Sequence, residues 1–357
     1  MKKIPVLLFG IALLAISFGE NKKVDKSQIL NDWEFKMISQ GKNKPNFNPN
    51  KDSLKYIPVL LHKGYDLEEI RSHFQWTHEE LKTKVSLLSQ ANFIKKGVDN
   101  KMMVSMMVIS EGEGEKISKY LTPVSEAITN KIKGSMDSIQ HNEAQIECLK
   151  HFDFNDISLL VLSNILLDNG QIKNVELEYL QKERPNRNNK KYYASFQEKP
   201  TDSEYEALGI YGNQVEMKEG FALCRYGNQR YLPEVIEMAN EIELQYLNIS
   251  KTSSFKYPII TSECSENLLK VSGFFKPDLL EILTQYDTLL RAEYSKSLYR
   301  KEISYEEFFI WIYHILYTDV TDRLIADGLI HIPKEKVAFY IFQPTVLMSN
   351  YRIPSNI

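Results

Sequence analysis

The stretch "THEELKTKVSLLSQANFIKKG", residues 77–97, constrains what this chain can fold into more than any other. Thr77 and Glu80 stand three apart, the spacing of a capping box in which two side chains satisfy helix N-terminal N–H groups reciprocally. Leu81, Val85 and Leu88 then recur at i, i+4 and i+7, so they share one face of a helix. His78, Lys82, Thr83, Ser86 and Gln90 point outward from it. "FIKKGVDNKMMVSMMVIS" follows as two apolar-rich runs around a Gly/Asp/Asn turn, the signature of a β-hairpin.

Two shorter helices precede this unit. "LKYIPVLLHKG" is stopped by Gly64, and "DLEEIRSHFQ" has Asp66 as N-cap with acidic residues in its first turn, which suits the helix dipole. The order helix, helix, capped helix, hairpin resembles the winged helix-turn-helix family. "LEEIRSHF", "THEELKTKVSLLSQANFI" and "KKGVDNKMMV" carry the resemblance, over about 55 residues. It implies a contact face at His78, Lys82, Thr83, Ser86 and Gln90. DNA reading through that face is disfavoured, because Glu79 and Glu80 occupy the turn that would approach phosphate.

The rest of the chain alternates helical and extended patterns. "KSQILNDWEFKMI" reads as a helix in an N-terminal arm, with Ile29, Trp33 and Ile38 as apolar contacts. From Glu115 to Leu149 apolar positions keep a helical period, and Pro123 either kinks this helix or opens a second one capped by Thr122. "NDISLLVLSNILLDNG" is an apolar helix ended by Gly170, and "ERPNRNNKKYYASFQEKP" resembles a second wing. Strands are expected from Tyr192 to Tyr231, and short ones at "KYPIITSE" and "LLKVSGFF". Near the C-terminus, Leu324, Gly328, Leu329 and Ile330 lead into a turn and an apolar strand, the same ending as the first module.

The first residues, "MKKIPVLLFGIALLAISFGE", have the parts of a secretory signal. Lys2 and Lys3 precede 14 uncharged residues, shorter than the roughly 20 needed to span a bilayer. Cleavage after Gly19 removes two lysines, taking the net charge from −3 to −5. An acidic mature chain lacks the overall basic footprint of a nucleic-acid binder. Three cysteines, Cys148, Cys224 and Cys264, allow one disulfide with a free thiol or three thiols, and spacing does not choose between them.

Chemistry-bearing motifs are sparse. His73 and His78 are five apart and miss the i, i+4 spacing of paired ligands; Cys148 and His151 form a single C-x-x-H without a second half. The sequence holds neither a Gly-rich phosphate loop nor a G-x-S-x-G elbow. Cys224 beside Arg225 reads as a buried strand residue, and His314 among Trp311, Ile312 and Ile315 as a hydrogen-bonded core histidine. No catalytic residue, metal site or cofactor is assigned. One surface stands out: Arg184, Arg187 and Lys190 precede Tyr192 and Tyr193, with Tyr205, Tyr211 and Tyr226 further on, a mix suited to peptide, sugar or other anionic ligands.

These patterns predict a helix-rich α+β protein of winged-helix-like modules: a signal at 1–19, an arm at 20–53, and modules at 54–112, 113–250 and 251–357. The expected role is an exported, non-enzymatic binding or scaffold protein contacting a protein or an extracytoplasmic ligand. Two alternatives stay open: a membrane-anchored DNA-binding regulator, and a hydrolase-like enzyme with a dispersed site near the Tyr-rich strands.

Overall fold

A computed structural model describes residues 32–39, 43–199, 204–248 and 255–343. The signal expected at 1–19, and residues 20–31 and 40–42 of the arm, lie outside the described residues. The fold is mixed α+β.

Strand β1 (Trp33–Ser39) occupies the part of the arm read as a helix. Trp33, Phe35 and Met37 alternate with Glu34, Lys36 and Ile38, a period of two that fits a strand. Pairing with a distant segment supplies the hydrogen bonds that a lone helix would have made internally. Next come α1 (Tyr56–His62), α2 (Leu67–Phe74) and α3 (His78–Gln90). The Thr77–Glu80 capping box forms, and the Asp66 N-cap becomes a second box with Glu69. Leu81 and Leu88 are buried and Val85 half-buried, so α3 packs on the stripe its sequence displays.

The hairpin is β2 (Ile94–Lys96) with β3 (Met102–Val104), paired antiparallel. Its apolar continuation leaves at Ser105 to become β4 (Met107–Ile109) in another sheet. α4 (Glu111–Gly134) starts at a third capping box, Ser110 with Glu113, and carries Pro123 inside it rather than restarting there. Thr122 bonds back to the Ser118 carbonyl and caps nothing. α5 (Met136–Glu143) follows.

α6 (Phe154–Ser158) widens into π1 (Leu159–Asp168), a π-helical run in which Asn169 N–H reaches the Asn164 carbonyl at 2.8 Å. A short α7 (Ile172–Asn174) leads to a second π turn, π2 (Val175–Tyr179). Gly170 stands between them because a Cβ there would meet the Ile165 carbonyl oxygen at 2.2 Å. β5 (Asn186–Arg187) and β6 (Lys190–Glu198) form the basic hairpin, turned by Asn188 and Asn189 at positive φ. A two-residue turn of left-handed asparagines matches the strand twist.

β7 (Gly212–Lys218), β8 (Phe221–Gly227), α8 (Pro233–Leu247) and β9 (Ile259–Ile260) come next. The strand expected at "LLKVSGFF" is instead part of α9 (Ser262–Lys296). Leu268, Val271, Phe275 and Leu279 are its buried side chains, and their three- and four-residue steps are helical. After α10 (Tyr299–Glu302), α11 (Tyr305–Ala326) is apolar nearly all round, as a central helix must be. The hairpin expected after it is not what forms: β10 (Ala338–Phe342) pairs antiparallel with β8 and parallel with β9.

Two sheets result. One runs β1-β6-β4 with β5 on β6; the other runs β7-β8-β10-β9. The described residues form one compact unit, and its main core draws on α4, π1, β8, α9 and α11 together, so segments 113–250 and 251–357 share it. Cys148 and Cys264 are joined by a disulfide with Cα atoms 6.0 Å apart, and Cys224 is a buried free thiol. Among the described residues no helix is long and apolar enough to cross a membrane.

Candidate functional site

Strand alternation sends Glu34, Lys36 and Ile38 of β1 to the same side as their β6 partners Gln197, Ser195 and Tyr193. A cavity of about 730 Å³ opens on that side. The end of π1 and the start of α7 form a second wall, β7 a third, and α11 closes it with Trp311, His314 and Tyr317. Phe47 and Tyr231 stand at its edge. Its size falls within the roughly 300–1,000 Å³ of small-molecule sites.

The wall holds polar groups that the fold has not used. Gln197 is fully buried, and neither amide atom has a hydrogen-bond partner in the protein. The indole N–H of Trp311 and Nη1 of Arg184 are likewise unpartnered. Each buried polar atom left unpaired costs about 1–3 kcal/mol, so three such residues on one cavity are a concentrated expense. Arg184 is held in place by Glu176, which accepts from Nε at 2.6 Å and from Nη2 at 3.2 Å.

Two titratable groups face each other's surroundings from π1 and α11. Burial raises the Asp168 carboxyl to about 7, against the charge of Arg230 and a hydrogen bond from Tyr317. Burial lowers His314 to about 4; Nδ1 donates to the Ile310 carbonyl at 2.7 Å, so the neutral ring keeps its lone pair on Nε2. Lys36 is pushed down to about 8 by burial and by Arg230, with Glu34 opposing. Lys36 and Arg230 both meet Glu206, and Arg230 also donates to the Gly227 carbonyl at 2.6 Å. Among the described residues no group of three His, Cys, Asp or Glu side chains is placed to hold a metal.

The residues singled out from the sequence scatter. Arg184 and Tyr211 reach the cavity. Arg187 is buried, pairs with Glu307 and donates to the Asn92 and Ser105 carbonyls, so it fastens α11 to the hairpin rather than facing solvent. Tyr192, Tyr193 and Tyr226 are core residues, the last bonded to Ser163 at 2.7 Å. Lys190 and Gln90 border a recess of about 90 Å³, and Tyr205 lies on the surface. On α3, His78, Lys82, Thr83, Ser86 and Gln90 are all exposed. Several are tied locally, Lys82 to Glu79 at 3.6 Å and Gln90 to Ser86 at 3.4 Å.

Asp168, Gln197, Arg230, Trp311 and Lys36 escaped notice in the sequence. A carboxylate closing the apolar run "NILLDNG" was the one available signal for Asp168. No protein-family model matches this chain, and comparison with curated proteins and with solved structures returns no match.

Proposed function

We propose that this is an exported binding protein that holds a small polar molecule in the cavity between β1, π1, β7 and α11. The single observation that carries the reading is the set of unpartnered buried groups on Gln197, Trp311 and Arg184 around a preformed space. A ligand would supply the missing partners, and Phe47 and Tyr231 offer it aromatic edges. The Cys148–Cys264 bridge supports an oxidising compartment, where such bonds persist. Thermal denaturation of the chain starting at Glu20 against sugars, amino acids, nucleosides and organic acids tests it. A true ligand raises the Tm in proportion to log concentration, and Tyr231→Ala weakens the effect. A panel that leaves the Tm unmoved at millimolar concentrations counts against the reading.

Asp168 favours a second reading, an enzyme using this carboxyl as general acid. A group titrating near 7, with a neutral imidazole lining the same cavity, suits proton transfer at ordinary pH. Asp168→Asn separates the two: a binding protein keeps its ligand, whereas an enzyme loses turnover and accumulates bound substrate.

The unit α1, α2, α3 and β2–β3 we read as winged-helix-like and as a protein-docking element rather than a DNA reader. Glu79 is well exposed at the start of α3 and would face phosphate. A salt-dependent affinity for duplex DNA, weakened by Lys82→Ala, would reverse that choice.

A further inference from the structure

We infer that the molecule held in the cavity is a small organic acid, bound through its carboxylate. The inference rests on the ligand-site reading above and adds the chemical class. In a chain of net charge −3, the cavity is lined by five cations: Lys36, Arg184 and Arg230 in the wall, Lys44 and Lys173 at exposed positions. Glu34 and Asp168 are the acidic residues of the lining; behind it Glu206 pairs with Lys36 and Arg230, and Glu176 with Arg184, so the surplus positive charge is that of Lys44 and Lys173. The unused polar atoms lean the same way. Trp311 Nε1, Arg184 Nη1, Arg230 Nε and the Gln197 amide N–H₂ are donors, against two acceptors, Gln197 Oε1 and Glu34 Oε2. A carboxylate accepts from several donors at once, whereas an ammonium would leave Trp311 Nε1 and Arg184 Nη1 without an acceptor.

Asp168 then sets the pH range. Arg230, Tyr226 of β8, and Tyr313 and Tyr317 of α11 surround it, and its ionised form would repel a bound anion. Burial holds its carboxyl near 7, so below that pH it is neutral and one negative charge is withdrawn from the cavity wall. His314 stays uncharged above about 4 and adds nothing to the trend. Lys36 keeps its proton until about 8.

Isothermal titration at pH 5.5, 6.5, 7.5 and 8.5 tests this with matched probes: galacturonate, galactose and galactosamine, and benzoate, benzamide and benzylamine. The expected result is that at least one acid binds tenfold or more tighter than its neutral and amine counterparts. Its affinity should be flat below pH 7 and fall about tenfold per pH unit above it. Which acid wins distinguishes an acidic sugar from an aromatic acid. Asp168→Asn should remove the fall between pH 7 and 8, and Lys173→Glu should weaken the acid several-fold with the Tm unchanged. A neutral or amine probe binding tighter overturns the acid while leaving the cavity a ligand site. Acid affinity that ignores both pH and Asp168→Asn overturns the role of Asp168. If all six probes fail, this inference is rejected, and the ligand-site reading stands or falls separately on the wider panel.

Discussion

His62 sits in the protein interior between two carboxylates, with Nδ1 2.8 Å from Glu302 and Nε2 2.9 Å from Glu113. Burial alone would lower its pKa, but the bonds to Glu113 and Glu302 win and raise it to about 10. Glu113 is resisted by burial and drawn down to about 2 by His62 and by Ser110. The signs give opposite limits. The stabilisation from His62 is complete below about 6.5 and is lost as pH rises through about 10; that from Glu113 is complete above 4.5 and is lost as pH falls through about 2. The triad therefore contributes most from about pH 4.5 to 6.5. His62→Ala should cost about 3–5 kcal/mol there, as breaking a buried pair does. Urea denaturation across the pH range should show the gap to wild type closing toward both extremes. Asp168 behaves oppositely. Its raised value means that burial costs stability progressively from pH 3.8 to about 7. Asp168→Asn should thus stabilise at pH 8 by up to about 4 kcal/mol and by little at pH 4. A variant no more stable than wild type at pH 8 would mean the carboxylate is well solvated.

At the scale of elements, the π1–Gly170–π2 segment sets the cavity wall. Long π-helical runs are rare and concentrate at functional sites, because the wider turn gives up hydrogen-bond geometry for side-chain placement. Here the turn directs Ser163 to Tyr226 and Thr321, and Asn164 to Asn213 and Tyr340, while Asp168 reaches the cavity. Gly170→Ala would force a Cβ to within 2.7 Å of Ser272 Cβ as well as against the Ile165 carbonyl. A loss of about 1–3 kcal/mol is expected, with a lower urea midpoint as its measure. The sequence made local elements legible where local chemistry decides them: the N-cap at Asp66, the capping box at Thr77, the hairpin turn, the amphipathic face of α3. It misled where distant partners decide. "WEFKMIS" becomes β1 because β6 is there to pair with it, and "LLKVSGFF" stays helical because Leu268, Val271 and Phe275 meet the core. The cavity was legible only at Arg184 and Tyr211, since its other members come from β1, π1, β6 and α11, and no spacing in the chain joins them. The loop around Arg187 shows the converse: a basic segment that looked solvent-facing sends both its arginines inward, Arg184 to Glu176 and Arg187 to Glu307.

Across the whole molecule, the bridge between Cys148 and Cys264 spans 116 residues. Closing a loop of that length restricts the unfolded chain, an effect on the order of 2–4 kcal/mol for a native disulfide. Reduction, or Cys148→Ser with Cys264→Ser, should lower the Tm by several degrees and leave the cavity's ligand affinity near wild type. An unchanged Tm would show that the bridge adds nothing to stability. The bridge also divides the site topologically. Asp168, Arg184, Gln197 and Arg230 lie within the covalent ring, whereas Lys36, Trp311 and His314 approach from the two tails outside it. A protease that cuts once anywhere inside the ring produces no separable fragments until the bond is reduced. Such a nicked molecule would run at full mass on a non-reducing gel, with both ring halves still tethered beside the tails that complete the cavity.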